Sequence, residues 1–275
     1  MRKITLAISP CPNDTFMFYG LIKNKIRHDI DIEVTFLDIE ELNQAALKSV
    51  YDISKISFSL LSKVSEHYWL LDSGSALGEA CGPLIISKSL ESISQDSDYH
   101  CLIPGLNTTA NFLLTTLYPR IKQKEVTLFS DIELKLKQDY ADLGLVIHET
   151  RFTYEENGFN KISDLGQEWE SSTGLPIPLG GIVASRSLDK QLIADFSHAI
   201  QESIKYAYEN EGEALSYCKS YAQEMRSDVM KSHIDLYVND YSLNLGEKGK
   251  QTIIYMLQKM IENGMIKEIP KELFF

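Results

Sequence analysis

The chain has 275 residues, 44% hydrophobic and 24% charged, a balance that excludes extended disorder and leaves room for about two folded domains. With 27 Lys and Arg against 39 Asp and Glu, the net charge of -12 excludes nucleic acid or an anionic membrane as main partner, because both demand a basic face. A small anionic substrate stays open, since one local positive site can hold it against the global field.

No apolar run reaches the length of a membrane span, and the N-terminus carries no secretion or lipidation pattern. The four cysteines (Cys11, Cys81, Cys101 and Cys218) are scattered without metal-ligand spacing, so they read as reduced, mostly buried thiols. The expected compartment is therefore cytoplasmic.

Ile4, Leu6 and Ile8 alternate with smaller or polar residues and predict a strand. It ends in Ser9-Pro10-Cys11-Pro12-Asn13-Asp14-Thr15-Phe16, where two prolines forbid further pairing. Asn13 or Asp14 is expected to cap a helix carrying Phe16, Met17, Leu21 and Ile22. A rigid polar loop between a strand and a helix is where open α/β sheets place ligands; the plainer reading is a stiff connection.

Ile30 to Ile39 then predicts a strand, Glu40 to Val50 a helix, Tyr51 to Ile56 a strand and Phe58 to His67 a helix. Trp69 to Leu71 and Leu84 to Ser87 read as extended, separated by a flexible Gly74–Gly78. A polar run from Lys88 to Asp98 precedes a strand at His100 to Ile103. That strand feeds Pro104-Gly105-Leu106-Asn107-Thr108-Thr109 and a helix with Phe112, Leu113 and Leu117. Ala141 to Ile147 is nearly all apolar and reads as a buried parallel strand, and Gly180 to Ser185 reads as a further strand. Everything after Asp189 reads as helical, with Gly264 ending the last helix.

This alternation predicts an α/β fold of two lobes. The first would comprise residues 1–88 and 186–275, and the second the inserted 89–185. Two crossings of that kind suggest a hinged cleft, as in bilobal solute-binding proteins.

His148 follows the apolar strand and precedes Glu149-Thr150-Arg151-Phe152-Thr153-Tyr154. An imidazole, titrating near pH ~6.5 in model peptides, suits general-base work when fixed at a strand tip. The plainer alternative is a histidine satisfied by local hydrogen bonds. Thr108 and Thr109 open a helix whose first-turn amides and hydroxyls suit a carboxylate, or serve only as a cap. Lys55-Ile56-Ser57 stands in the same relation to its own strand, adding a cation and a hydroxyl, or a surface lysine beside a cap. His28, His67, His100, His198 and His233 are assigned to packing or solvent. Dinucleotide, phosphate-loop and serine-elbow motifs do not occur.

Together these residues resemble the 1,4-dihydroxy-6-naphthoate synthase family of the futalosine route to menaquinone. The resemblance rests on Ser9 to Phe16, Lys55-Ile56-Ser57, Gly78 with Gly82-Pro83-Leu84, Pro104-Gly105 with Thr108-Thr109, and Ile147-His148-Glu149 with Arg151-Phe152-Thr153-Tyr154. Thr173-Gly174-Leu175-Pro176 and Tyr237-Val238-Asn239 extend it over essentially the whole chain.

It implies a two-lobed periplasmic-binding-protein type of fold and conversion of cyclic dehypoxanthine futalosine to 1,4-dihydroxy-6-naphthoate by carbon–carbon cleavage. It also implies His148 as proton acceptor, substrate contacts from Lys55, Ile56, Ser57, Thr108 and Thr109, and neither metal nor redox cofactor. The partner is then a small carboxylated molecule. Asp14, Asn43 and Tyr154 are candidates for protonating the leaving fragment. A chorismate-derived dehydratase of the same pathway and a non-catalytic solute-binding protein are the competing readings. Oligomeric state is not encoded in any of these motifs.

Overall fold

The computed structural model describes residues 3–94, 97–222 and 226–275. Met1, Arg2 and two residues of the expected polar run, Gln95 and Asp96, lie outside the described residues. The chain divides into two compact units, one of residues 1–78 and 178–275, the other of residues 79–177. No described helix is long and apolar enough to cross a membrane.

The first unit begins with β1 (Ile4–Ile8), α1 (Pro12–Ile22), β2 (Ile32–Phe36), α2 (Ile39–Leu47) and β3 (Ile53–Ser57). A 3-10 turn at Phe58–Leu60 then runs into α3 (Leu61–Val64), β4 (Tyr68–Leu70) and β5 (Ala76–Gly78). The second unit holds β6 (Leu84–Ser87), β7 (His100–Ile103), α4 (Thr109–Leu117), β8 (Gln123–Val126) and α5 (Ile132–Lys137). It continues with β9 (Leu143–Val146), α6 (Thr150–Thr153), β10 (Asn160–Asp164) and α7 (Leu165–Thr173). The chain returns to the first unit through β11 (Ile177–Ser185), followed by α8 (Lys190–Glu209), α9 (Glu211–Lys219), α10 (Ser227–Tyr237), α11 (Asp240–Leu243) and α12 (Gly246–Glu262).

The first sheet runs β2-β1-β3-β11-β4, with β5 on β11. β1 pairs in parallel with both β2 and β3, while β11 is antiparallel to β3 and β4. The second sheet runs β10-β6-β9-β7-β8. The lobe boundaries therefore differ from those expected at 88 and 185. β6 belongs to the second sheet because it pairs with β9 and β10, and Gly180–Ser185 belongs to the first because it pairs with β3. Strand partners, which lie far away in sequence, decide membership.

Helix α1 is buried from Pro12 to Leu21, and its Phe16, Met17, Phe18, Tyr19 and Leu21 are apolar around the whole circumference, as suits a helix packed on every side. Its start differs from the expectation. Cys11 is the N-cap residue and Pro12 the first helical position, where a missing N–H is harmless. Asn13 and Asp14 lie inside the first turn, and their side chains turn elsewhere.

Other departures have equally local causes. The Gly74–Gly78 segment is pinned, not flexible: Gly74 N–H donates to the Ser242 carbonyl at 2.8 Å, the Ser242 hydroxyl donates to the Ser75 carbonyl at 2.7 Å, and residues 76–78 form β5. Strand β9 is parallel to β7 but antiparallel to β6, so its apolar run reflects burial on both faces in a mixed sheet. After Gly264, with φ of 67°, the chain is no longer helical, and Phe274 pairs with Leu70 of β4.

The second unit packs Leu84, Ile86, Leu102, Ile132, Leu136, Val146, Tyr154 and Phe159 into one core. Gly82 and Gly166 touch backbone to backbone, and a Cβ on Gly82 would lie 2.3 Å from the Gly166 Cα. Because no side chain can yield there, Gly82→Ala is expected to lower unfolding stability by about 1–3 kcal/mol. Denaturant unfolding checks this, with Gly158→Ala, which meets no neighbouring atom but has a φ of 84°, as a strain-only comparison.

Candidate active site

In the first unit the parallel neighbours β1 and β3 place Ser9, just past β1, and Ser57 at the same end of the sheet. Lys55, Ile56 and Ser57 are the last three residues of β3; the strand runs on past Ile56 because Ile182, Gly181 and Gly180 of β11 pair with them. A Cβ on Gly180 would stand 2.5 Å from the Ile56 carbonyl oxygen, so that position needs glycine.

Lys55 is neither a surface lysine nor an open cation. Its Nζ lies 3.0 Å from Asp14 Oδ1, with side chains 6% and 1% exposed, and donates to the Gly74 carbonyl at 3.4 Å. Asp14 also accepts from Asn13 Nδ2 at 2.9 Å on Oδ1, and from the Ser9 hydroxyl at 2.8 Å and Ser9 N–H at 3.2 Å on Oδ2. The polar loop at residues 9–15 thus folds around one ion pair.

Ser57 is buried and held by Asn43 of α2, whose Nδ2 donates to the Ser57 hydroxyl at 3.0 Å and whose Oδ1 accepts the Ser57 N–H at 2.9 Å. Asn43 is itself fully buried. Ile56 is buried between these two polar positions.

In the second unit β7, β8 and β9 are mutually parallel, so the residues after their C-terminal ends share one end of that sheet. They are Thr108 and Thr109 after β7, Phe129 after β8 and His148 after β9. The Thr108 hydroxyl donates to the Gly105 carbonyl at 2.8 Å and accepts the Asn111 N–H at 3.2 Å, so capping of α4 is its observed work. Thr109 is buried at the first helical position, where first-turn amides and the helix dipole favour an anion.

His148 has a φ of 58°, the left-handed region that non-glycine residues seldom adopt. It makes the sharp turn from β9 into α6 and is partly buried, with its ring edge-on to Phe129 at 5.1 Å. Arg151, one turn on, donates to the Gly82 carbonyl at 2.6 Å and to Asp164 Oδ2 at 2.5 Å. Asp164 Oδ1 in turn caps α7 through the N–H groups of Gly166 and Gln167. The turn bearing His148 is therefore braced against Gly82 and α7 through a single guanidinium.

The remaining candidates fall into place by burial. Tyr154 donates to Glu155 Oε1 at 2.8 Å, and burial, with that carboxylate adding to it, pushes its hydroxyl up to about 12, so it holds its proton at neutral pH. All four cysteines are buried. Burial pushes Cys81 and Cys101 up to about 12 and Cys218 to about 11, which leaves those three as thiols poorly suited to binding a metal.

His28, His67 and His198 are partly or fully exposed, and His100 lies 3.3 Å from Glu125. His233, assigned to packing from its helical pattern, is wholly buried with Nε2 3.0 Å from Asn13 Oδ1. Sequence reasoning also passed over the bracing role of Arg151 and the ring of Phe129. Arg151 stood in the quoted motif; Phe129 carried no local signal.

Asp14→Ala is expected to destabilise the protein by about 3–5 kcal/mol, since it leaves the Lys55 charge buried alone, and a second change, Lys55→Met, recovers part of the loss. Thermal unfolding of the single and double variants reads this. Thr108→Ala is expected to cost about 1 kcal/mol through the lost cap, with Thr108→Ser close to the parent in the same measurement.

A family model described as menaquinone biosynthesis matches residues 4–262. A protein of Thermus thermophilus named 1,4-dihydroxy-6-naphtoate synthase is 36% identical over 275 residues, covering 100% of both chains. One of the same name from Streptomyces coelicolor is 35% identical over 268 residues, covering 96% of this chain and 94% of its own. Among solved structures, a protein from Archaeoglobus fulgidus superposes with a TM-score of 0.91 at 31% identity, covering 96% of this chain and 98% of that one. The periplasmic aliphatic sulphonate binding protein of Escherichia coli superposes with a TM-score of 0.66 at 9% identity, covering 100% and 94%. At that identity the likeness shows the fold alone, which is of the periplasmic-binding-protein type. Matched along its length by the family model and by both curated relatives, the chain belongs to the 1,4-dihydroxy-6-naphthoate synthase family of menaquinone biosynthesis enzymes.

Proposed function

We propose that this enzyme converts cyclic dehypoxanthine futalosine to 1,4-dihydroxy-6-naphthoate, with His148 as the base that starts carbon–carbon cleavage. The observation carrying the reading is the setting of His148. It occupies a left-handed turn at the tip of β9, its ring rests on Phe129, and its backbone is braced through Arg151. A partly buried imidazole on a rigid element is suited to taking a proton from a bound carbon acid.

Thr108 and Thr109, at the start of α4, are the proposed contacts for a substrate carboxylate. First-turn amides and the dipole of a nine-residue helix favour that charge. Lys55, Ile56 and Ser57 are the proposed contacts from the tip of β3. There the ion pair with Asp14 limits Lys55 to a directed donor and not a loose counter-charge. After proton removal, cleavage releases the sugar-derived fragment and leaves an aromatic ring. Aromatisation supplies the driving force, so the reading calls for no metal or redox cofactor. The buried thiols Cys81, Cys101 and Cys218 accord with a proposed cytoplasmic location.

Purified protein mixed with cyclic dehypoxanthine futalosine is expected to generate naphthoate absorbance. Unchanged substrate at saturating concentration would instead favour a binding protein. His148→Asn is expected to lower kcat by about 10²–10⁴-fold, the usual worth of a general base, while calorimetric substrate affinity stays within a few fold. Parent-like turnover by that variant would remove His148 from the role.

A further inference from the structure

His233 of α10 is wholly buried, lies far in sequence from the polar loop it touches, and has no part in the chemistry assigned above. Its protonation pattern follows from the groups around Asp14. Both carboxylate oxygens of Asp14 already accept hydrogen bonds, Oδ1 from Asn13 Nδ2 and Lys55 Nζ, Oδ2 from Ser9. An ion-paired carboxylate cannot donate, so Asn13 must turn its amide nitrogen toward Asp14 and its oxygen toward α10. That oxygen can only accept. The His233 Nε2, 3.0 Å away, must therefore carry a hydrogen. The ring is held in this orientation against Tyr237, with centroids 4.5 Å apart.

We propose that His233 is a positioning residue for the substrate-contacting tip of β3. Its Nε2–H fixes the Asn13 amide, Asn13 fixes the Asp14 carboxylate, and Asp14 sets the direction of the Lys55 ammonium beside the Gly74 carbonyl. Without the imidazole donor, Asn13 Oδ1 loses its hydrogen bond from α10, so the amide that donates to Asp14 Oδ1 beside Lys55 is held at one end only. The inference rests on the reading that Lys55–Ser57 contacts the substrate. It assigns the effect to binding, since no member of the chain of contacts is the proton acceptor.

The test compares His233→Leu, which removes the donor, with His233→Gln, whose side-chain amide can place an N–H where Nε2 stood. With the futalosine substrate, His233→Leu is expected to raise KM about tenfold, the effect of losing one buried hydrogen bond, with kcat within about twofold of the parent. His233→Gln is expected to recover most of that loss. A merely structural role predicts equal defects in both variants, following their thermal stability, and that result overturns the proposal.

The long-range proton–nitrogen NMR spectrum of the parent provides a readout independent of turnover and of how the variants fold. A ring nitrogen pattern with hydrogen on Nε2 supports the chain of contacts, and an Nε2 without hydrogen overturns it. An inactive parent would sink the functional reading and the role of His233 in that reaction together. An active parent with unchanged KM in His233→Leu sinks the inference alone.

Discussion

Burying an ammonium and a carboxylate is tolerable only when each finds its opposite and the remaining hydrogen-bonding capacity is filled. The Lys55–Asp14 pair meets that condition through Ser9, Asn13 and the Gly74 carbonyl. Three segments remote in sequence are thereby fixed to one another: the loop after β1, the tip of β3 and the pinned stretch before β5. The burial of polar residues along the first turn of α1, otherwise anomalous for so apolar a helix, follows from the same pair.

The second unit reaches a comparable rigidity by a different device. His148 sits in a backbone conformation that a non-glycine residue adopts only when its surroundings hold it there. Arg151 supplies that hold by joining the turn to the Gly82 carbonyl and to the capping carboxylate of α7. The close approach of Gly82 and Gly166 lets these elements lie near enough for one guanidinium to span them. In each unit, the candidate site residues hang from the C-terminal ends of adjacent parallel strands, where the backbone is anchored by the sheet and the next residues are released from pairing.

The periplasmic-binding-protein-like fold accounts for this arrangement without dictating the chemistry. A sulphonate-binding protein shares the fold at 9% identity, while the curated synthases share the sequence at 36% and 35%. What distinguishes an enzyme on such a scaffold is a group able to move a proton, held on a turn too constrained to drift. His148, the proposed base, is an imidazole held on such a turn.

Local periodicity and turn chemistry were sufficient to place β1, β6, β7, α4 and the apolar β9, because alternation, prolines and apolar runs act over a few residues. The motifs containing Lys55–Ser57, Thr108-Thr109 and His148 were legible for the same reason: each is a short polar tip next to a strand. Tertiary structure decided the rest. Whether β6 or β11 belonged to one sheet or the other depended on partners 58 to 131 residues away. That Lys55 would be neutralised by Asp14, and that His233 would reach Asn13, depended on contacts spanning 41 and 220 residues. A sequence shows which side chains carry charge and hydrogen-bonding capacity; only the folded chain determines which of them must satisfy one another once water is excluded.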